Sequence, residues 1–141
     1  MKNDGTAAQK AFTDAMDLTK RWVHRFRDMK DVKGLNRGKN LAMFPCPADY
    51  LVGGAEGLFL AEVKSTYNET SFSFADIRPA QRAAAAHAYS RGFPYFFFIM
   101  NMNDDEWYVL PAAQFVETMK AGRKSLPYKE LTPCSLMSWS M

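Results

Sequence analysis

Apolar positions recur at helical spacing early in the chain: Ala7, Ala8, Ala11, Phe12, Ala15, Met16, Trp22, Val23 and Phe26. The pattern predicts an amphipathic helix over residues 6–29, with Thr6 as its cap. Two glycines and three bases make 31–40 a basic loop. Short apolar runs at 41–44 and 49–52 read as strands, the second followed by a turn over 53–57. Residues 58–65 begin apolar and then alternate, as a strand buried on one or both faces does. A polar loop over 66–76 leads to a helix over 79–91, with Pro79 in its first turn and Gly92 at its end. The densest apolar run, 94–101, predicts the central strand, and Tyr95-Phe96-Phe97-Phe98 is core. Asn103-Asp104-Asp105 turns the chain into a strand over 106–110. A helix over 111–121 stops at Gly122, and a polar tail starts at Arg123. The order predicts one α/β domain over 1–141, a mixed sheet flanked by helices.

Composition narrows the function. No apolar run reaches the roughly 18–20 residues that span a bilayer, and the polar start is not that of a signal peptide. Cys46 and Cys134 form no C-x-x-C pair, so a reduced, cytoplasmic protein is expected. Two histidines, His24 and His87, do not build a His-rich metal site. Any metal is expected on oxygen ligands, which suits Mg²⁺, with Mn²⁺ as a substitute. The formal charge of +3 is uneven: residues 20–40 hold eight bases against two acids, a local +6. Such a block implies either a polyanionic partner or a solvated basic surface.

One constellation carries chemistry. Pro47-Ala48-Asp49 opens a strand, and Glu62-Val63-Lys64 follows on the next. Glu62 and Lys64 are two apart, so they share a face of their strand. A hairpin through 53–57 sets Asp49 beside Glu62. Two carboxylates hold a divalent metal that also binds a phosphate oxygen and lowers the pKa of its water. Lys64 orients that water or offsets charge in the transition state. The Val63 carbonyl is a further metal ligand if the sheet leaves it free. An E-x-K triplet alone is weak, and its plain reading is a surface ion pair; P-x-D with E-x-K on adjacent strands is more specific.

From residue 44 to 126 the sequence resembles the RecU-type Holliday junction resolvases of the PD-(D/E)xK nuclease superfamily. The matching pieces are Pro45-Cys46-Pro47-Ala48-Asp49-Tyr50, Leu60-Ala61-Glu62-Val63-Lys64-Ser65-Thr66, Thr70-Ser71-Phe72-Ser73-Phe74, Gln81, Trp107-Tyr108-Val109-Leu110-Pro111 and Gly122-Arg123-Lys124-Ser125-Leu126. The resemblance implies a restriction-endonuclease-like fold and Mg²⁺-dependent cleavage of branched DNA by a homodimer. It puts Asp49, Glu62 and Lys64 at the catalytic and metal positions and Gln81 at a catalytic-site glutamine. The family's first helix supplies an acid to the metal. The matching stretch here, Ala8-Gln9-Lys10-Ala11, has none. Either water completes the coordination, or Asp14 or Asp17 turns inward, with Asp14 the better placed. The family's stalk insertion has no counterpart beyond the loop 31–40.

The expected DNA contacts are Lys33, Arg37 and Lys39 in the basic loop, Thr66 and Ser71 after the catalytic strand, Arg78 and Arg82 beside Gln81, and Arg123 and Lys124 after the last helix. Solubility or a helix dipole explains several of these bases equally well. The function read from the sequence is a structure-specific endonuclease, resolving junctions in recombination or in phage DNA processing. Two alternatives stay open: a less selective flap or nicking nuclease, and a non-catalytic DNA-binding domain of the same fold.

Overall fold

A computed structural model describes residues 5–26 and 46–141. Helix α1 spans Thr6–Leu18, and strands β1, β2 and β3 span Trp22–Arg25, Tyr50–Gly54 and Gly57–Thr66. Then follow β4 (Ser71–Ser73), α2 (Pro79–Ser90), β5 (Tyr95–Asn101) and β6 (Glu106–Pro111). Helix α3 (Ala112–Lys120) and strands β7 (Ser125–Pro127) and β8 (Thr132–Pro133) complete the order. Six strands form one sheet in the order β1-β2-β3-β5-β6-β8; β4 and β7 make a separate pair. Within the main sheet β3 and β5 are parallel and the other neighbours antiparallel. The fold is thus the mixed α/β sheet flanked by helices that the pattern predicts.

Strand β5 is central because it is apolar on both faces. Tyr95, Phe97 and Ile99 belong to the core with Ala85 and Ala88 of α2 and Phe115 of α3. Phe98 joins the opposite core with Phe12 and Met16 of α1, Phe59 and Val63. Each layer contributes one face, so the sheet is covered on both sides.

Four expectations need correction. The first helix ends at Leu18, not at 29, and Trp22–Arg25 is a strand. The Thr19 hydroxyl donates back to the Ala15 and Met16 carbonyls at 2.8 and 3.0 Å, and Lys20 takes a positive φ of 61° that turns the chain. Beyond it the period is two: Val23 packs inward beside exposed Trp22 and His24. Thr6 is the first helical residue and Gly5, at φ 79°, precedes it as the cap. The polar stretch 66–76 contains β4 and a 3-10 turn, Phe74–Asp76, with Phe72, Phe74 and Ile77 buried. The polar tail likewise adds β7 and β8, and its Trp139 packs edge-on against Phe59, Phe96 and Phe98. The strand expected at 41–44 and the basic loop lie outside the described residues.

Candidate active site

The β2–β3 hairpin brings the two acids together. Its pairing begins at Tyr50, opposite Ala61, whereas β3 runs on to Thr66. Beyond Ala61, therefore, β3 has no β2 backbone beside it. Asp49, one residue ahead of β2, fills that gap: its Oδ2 accepts a hydrogen bond from the Val63 N–H at 2.9 Å. The N–H and C=O of a strand residue point to the same side, so the Val63 carbonyl faces the same gap. The turn ahead of Asp49 is pinned from below, where buried Tyr95 donates its hydroxyl to the Pro47 carbonyl at 2.7 Å.

Glu62 and Lys64 both meet Gln81, a buried residue of α2. The Gln81 Nε2 donates to Glu62 Oε2 at 2.8 Å, and its Oε1 accepts from Lys64 Nζ at 2.9 Å and from the Arg78 N–H at 3.0 Å. Lys64 Nζ lies 3.7 Å from Glu62 Oε2. Glu62 is only 2 % exposed, so the pair is not the surface salt bridge that an isolated E-x-K triplet suggests.

The electrostatics are those of two acids crowded out of water. Burial first, and then the charge of Asp49, pushes the Glu62 carboxyl up to about 8; Lys64 and Arg78 oppose the rise. Burial also raises Asp49, against its hydrogen bonds with Val63 and Glu62 and the charges of Lys64 and Arg25. Two carboxyls held this close favour sharing a proton over carrying two charges. A divalent cation removes the same conflict, and buried anionic oxygens side by side suit Mg²⁺ or Mn²⁺. Among the described residues no three His, Cys, Asp or Glu side chains gather into a metal-binding group. The groups that could hold a divalent cation in this gap are the two carboxylates and the Val63 carbonyl.

These groups line a polar cavity of about 400 Å³, with Thr66 and Arg78 in its wall. Other expected contacts lie apart from it. Ser71 sits in β4, the Arg82 Nε donates to the Ile77 carbonyl, and Arg123 forms a bidentate pair with Glu130 at 2.8–2.9 Å. Lys124 is exposed, and its backbone carbonyl accepts from the Phe74 N–H. Lys33, Arg37 and Lys39 are outside the described residues. Neither aspartate of α1 turns inward. Asp14 pairs with Lys10 at the surface, and Asp17 lines a groove on the β1 side. The α1 side chain in the cavity wall is Gln9, joined from other elements by Asn68 and Asp76. The sequence pattern passed over all three.

The model of the RecU family, recombination protein U, matches residues 37–138, well over half of the chain. A search of the curated proteins finds no match. Among solved structures the chain is similar to Hjc, a Holliday junction resolvase of Archaeoglobus fulgidus. The TM-score is 0.50 at 14 % identity, and the likeness covers 77 % of each chain. That likeness is one of fold. Among the described residues no helix is long and apolar enough to cross a membrane. The extent of the family match, with the P-x-D and E-x-K pieces meeting in one cavity, decides the assignment: the chain belongs to the RecU family.

Proposed function

We propose that this protein is a metal-dependent endonuclease that cleaves branched DNA, the Holliday junction above all, in recombination or phage DNA processing. One observation carries the reading: half-buried Asp49 and buried Glu62 meet in a polar cavity that Lys64 also lines, and Gln81 is hydrogen-bonded to both Glu62 and Lys64. Asp49, Glu62 and the Val63 carbonyl would hold Mg²⁺, or Mn²⁺ in its stead. The cation supplies Lewis acidity toward a phosphate oxygen and a more acidic water. Holding that ion would be the role of Asp49 and Glu62. Lys64, on the same face of β3, aligns the attacking water and offsets charge that develops on phosphorus. Gln81 keeps the Lys64 ammonium and the Glu62 carboxylate apart and aimed.

Arg78 and Thr66 in the cavity wall meet the phosphodiester. Ser71, Arg82, Arg123, Lys124 and the loop bases Lys33, Arg37 and Lys39 extend the DNA contact. A homodimer in the cytoplasm presents two such centres to the two opposed strands that junction resolution requires. The test is cleavage of a synthetic four-way junction in Mg²⁺, beside linear duplex and flapped substrates. Paired cuts in opposed strands of the junction support the proposal. Equal cutting of all three substrates would make the protein a general nuclease, and no cutting of any would leave a DNA-binding domain.

A further inference from the structure

Strand β2 fixes where α1 sits along the sheet. Phe12 stacks on Tyr50 with ring centroids 5.5 Å apart, and it meets Phe98 at 4.9 Å. Tyr50 directly follows Asp49 in the chain. Gln9 lies three residues before Phe12, about 4.5 Å back along the helix at 1.5 Å per residue. That step carries it past the start of β2, to the gap that Asp49 fills. Gln9 borders the buried stripe of Ala8, Phe12, Ala15 and Met16 and is itself half-buried. Its side chain enters the wall of the carboxylate cavity with Asp49, Glu62, Val63 and Lys64; it also borders the groove between α1 and β1.

Other polar groups of the cavity are engaged or stand apart. Asp49 accepts from the Val63 N–H, and Gln81 bridges Glu62 and Lys64. The Thr66 hydroxyl oxygen accepts from the Asn68 N–H at 3.0 Å. Asp76 lines the same cavity, but it does not gather with Asp49 and Glu62 into a group of three acids. The Gln9 amide makes no hydrogen bond among the described residues. A half-buried amide without a protein partner calls for one from solvent or from a ligand. It offers an acceptor, Oε1, and a donor, Nε2. Mg²⁺ keeps several of its waters when bound, and waters polarised by a cation are strong donors. An amide oxygen in the wall beside two acids is placed to accept from them.

We propose that Gln9 is a positioning residue of the metal site: its side-chain oxygen accepts hydrogen bonds from the waters of a cation bound at Asp49 and Glu62. The proposal rests on the reading of the carboxylate cavity as a metal-dependent nuclease centre, and it adds what sets the strength of that centre. The side chain that α1 brings to the cavity is neutral, so the cation meets the two negative charges of Asp49 and Glu62, set against Lys64. A carboxylate at position 9 makes three. The amide thus holds cation affinity below what the same backbone can give. The helix tolerates the acid, because negative charge is favoured near a helix N-terminus and the first turn of α1 has none. One substitution therefore changes the strength of the site without changing the fold.

Gln9→Met and Gln9→Glu test this in the full chain, with Asp14→Asn as a control on the same helix outside the cavity. Mg²⁺ binding without DNA is measured by calorimetry, binding of a synthetic four-way junction is measured in EDTA, and melting temperatures report the fold. Gln9→Met keeps the length of the side chain and removes both polar ends. It is expected to melt near the parent and to bind Mg²⁺ about tenfold more weakly, as loss of a group that orients a metal's surroundings does. Gln9→Glu is expected to bind Mg²⁺ about tenfold more tightly, because affinity for such ions rises with the charge of the site. Asp14→Asn is expected to bind it as the parent does, and Gln9→Met to keep the parent's affinity for DNA in EDTA. Equal Mg²⁺ affinity in the parent, Gln9→Met and Gln9→Glu would overturn the proposal. So would equal weakening in both variants, which marks a packing role. Loss of DNA affinity in Gln9→Met with Mg²⁺ binding intact would also overturn it, making the amide a DNA contact. The two readings fail separately. A parent that cuts junctions while all three proteins bind Mg²⁺ alike keeps the nuclease and loses this role of Gln9. A parent that cuts no DNA while affinity falls from Gln9→Glu through the parent to Gln9→Met keeps the role and loses the nuclease.

Discussion

Lys64 Nζ is closer to Gln81 Oε1, at 2.9 Å, than to Glu62 Oε2, at 3.7 Å. The amide is thus the partner that aims the ammonium, and it holds Glu62 from its other end. Gln81→Ala removes both bonds without touching the two acids. It is expected to lower kcat about 10–100-fold, the usual cost of losing a partner that orients metal ligands, with KM near the parent value. Steady-state kinetics on the junction substrate checks this.

Asp49→Asn, Glu62→Gln and Lys64→Ala are each expected to reduce cleavage by about 10²–10³ or more, since each removes a group acting on the transition state. DNA binding in EDTA is expected to persist. Near-parental cleavage by any one of the three excludes that residue from the chemistry.

The raised carboxyl of Glu62 makes stability depend on pH in a definite direction. Its folded pKa, about 8, lies above the ordinary 4.5, so between those values the folded state binds more protons than the unfolded one. Stability is full at low pH and falls as pH rises through this window. Without metal, the melting temperature is expected to drop by several degrees from pH 5 to pH 8. Glu62→Gln is expected to flatten the profile, and Mg²⁺ is expected to restore stability at pH 8 by binding the folded state. Differential scanning calorimetry with and without Mg²⁺ reads all three.

Tyr95→Phe deletes the hydroxyl that bonds the Pro47 carbonyl. Leaving that acceptor without its partner is expected to cost about 1–3 kcal/mol in urea unfolding. Because Pro47 leads into Asp49, the Mg²⁺ concentration for half-maximal cleavage is expected to rise as well.

Asp14 and Asp17 face away from the acids, so Asp14→Asn and Asp17→Asn are expected to leave the Mg²⁺ requirement at the parent level in a metal titration. A large rightward shift in either places an α1 acid on the metal. In the basic stretch 31–40, Lys33→Ala, Arg37→Ala and Lys39→Ala together are expected to flatten the salt dependence of DNA affinity by roughly 0.9 for each phosphate no longer neutralised. An unchanged slope makes the block a solvated surface.

Much of this architecture is written locally. The central strand is legible because Tyr95–Asn101 is apolar on both faces, and α2 because Pro79 and Gly92 bracket an alanine-rich run. The meeting of Asp49 with Glu62 is legible from a short hairpin. What the pattern misses depends on pairings distant in sequence. Trp22 and Phe26 fit a helical stripe on paper. The turn at Thr19 and Lys20 and the pairing with β2 make that stretch a strand instead. β4 is three residues long and polar on one side, and it exists because β7, more than fifty residues away, pairs with it. Gln9 is silent in the sequence for the same reason: only the packing of α1 against the sheet brings it to the cavity.

Beside its contact with the Glu62 carboxyl, Asp49 is held by main chain. Its bond comes from the Val63 N–H, a group that every amino acid but proline possesses. The chemistry therefore places almost no demand on what residue 63 is. Packing beneath α1, among Phe12, Met16 and Phe98, sets that choice alone. Position 63 is thus free to drift with its apolar neighbours while the acid beside it stays in register, so the core can be remodelled without retuning the catalyst.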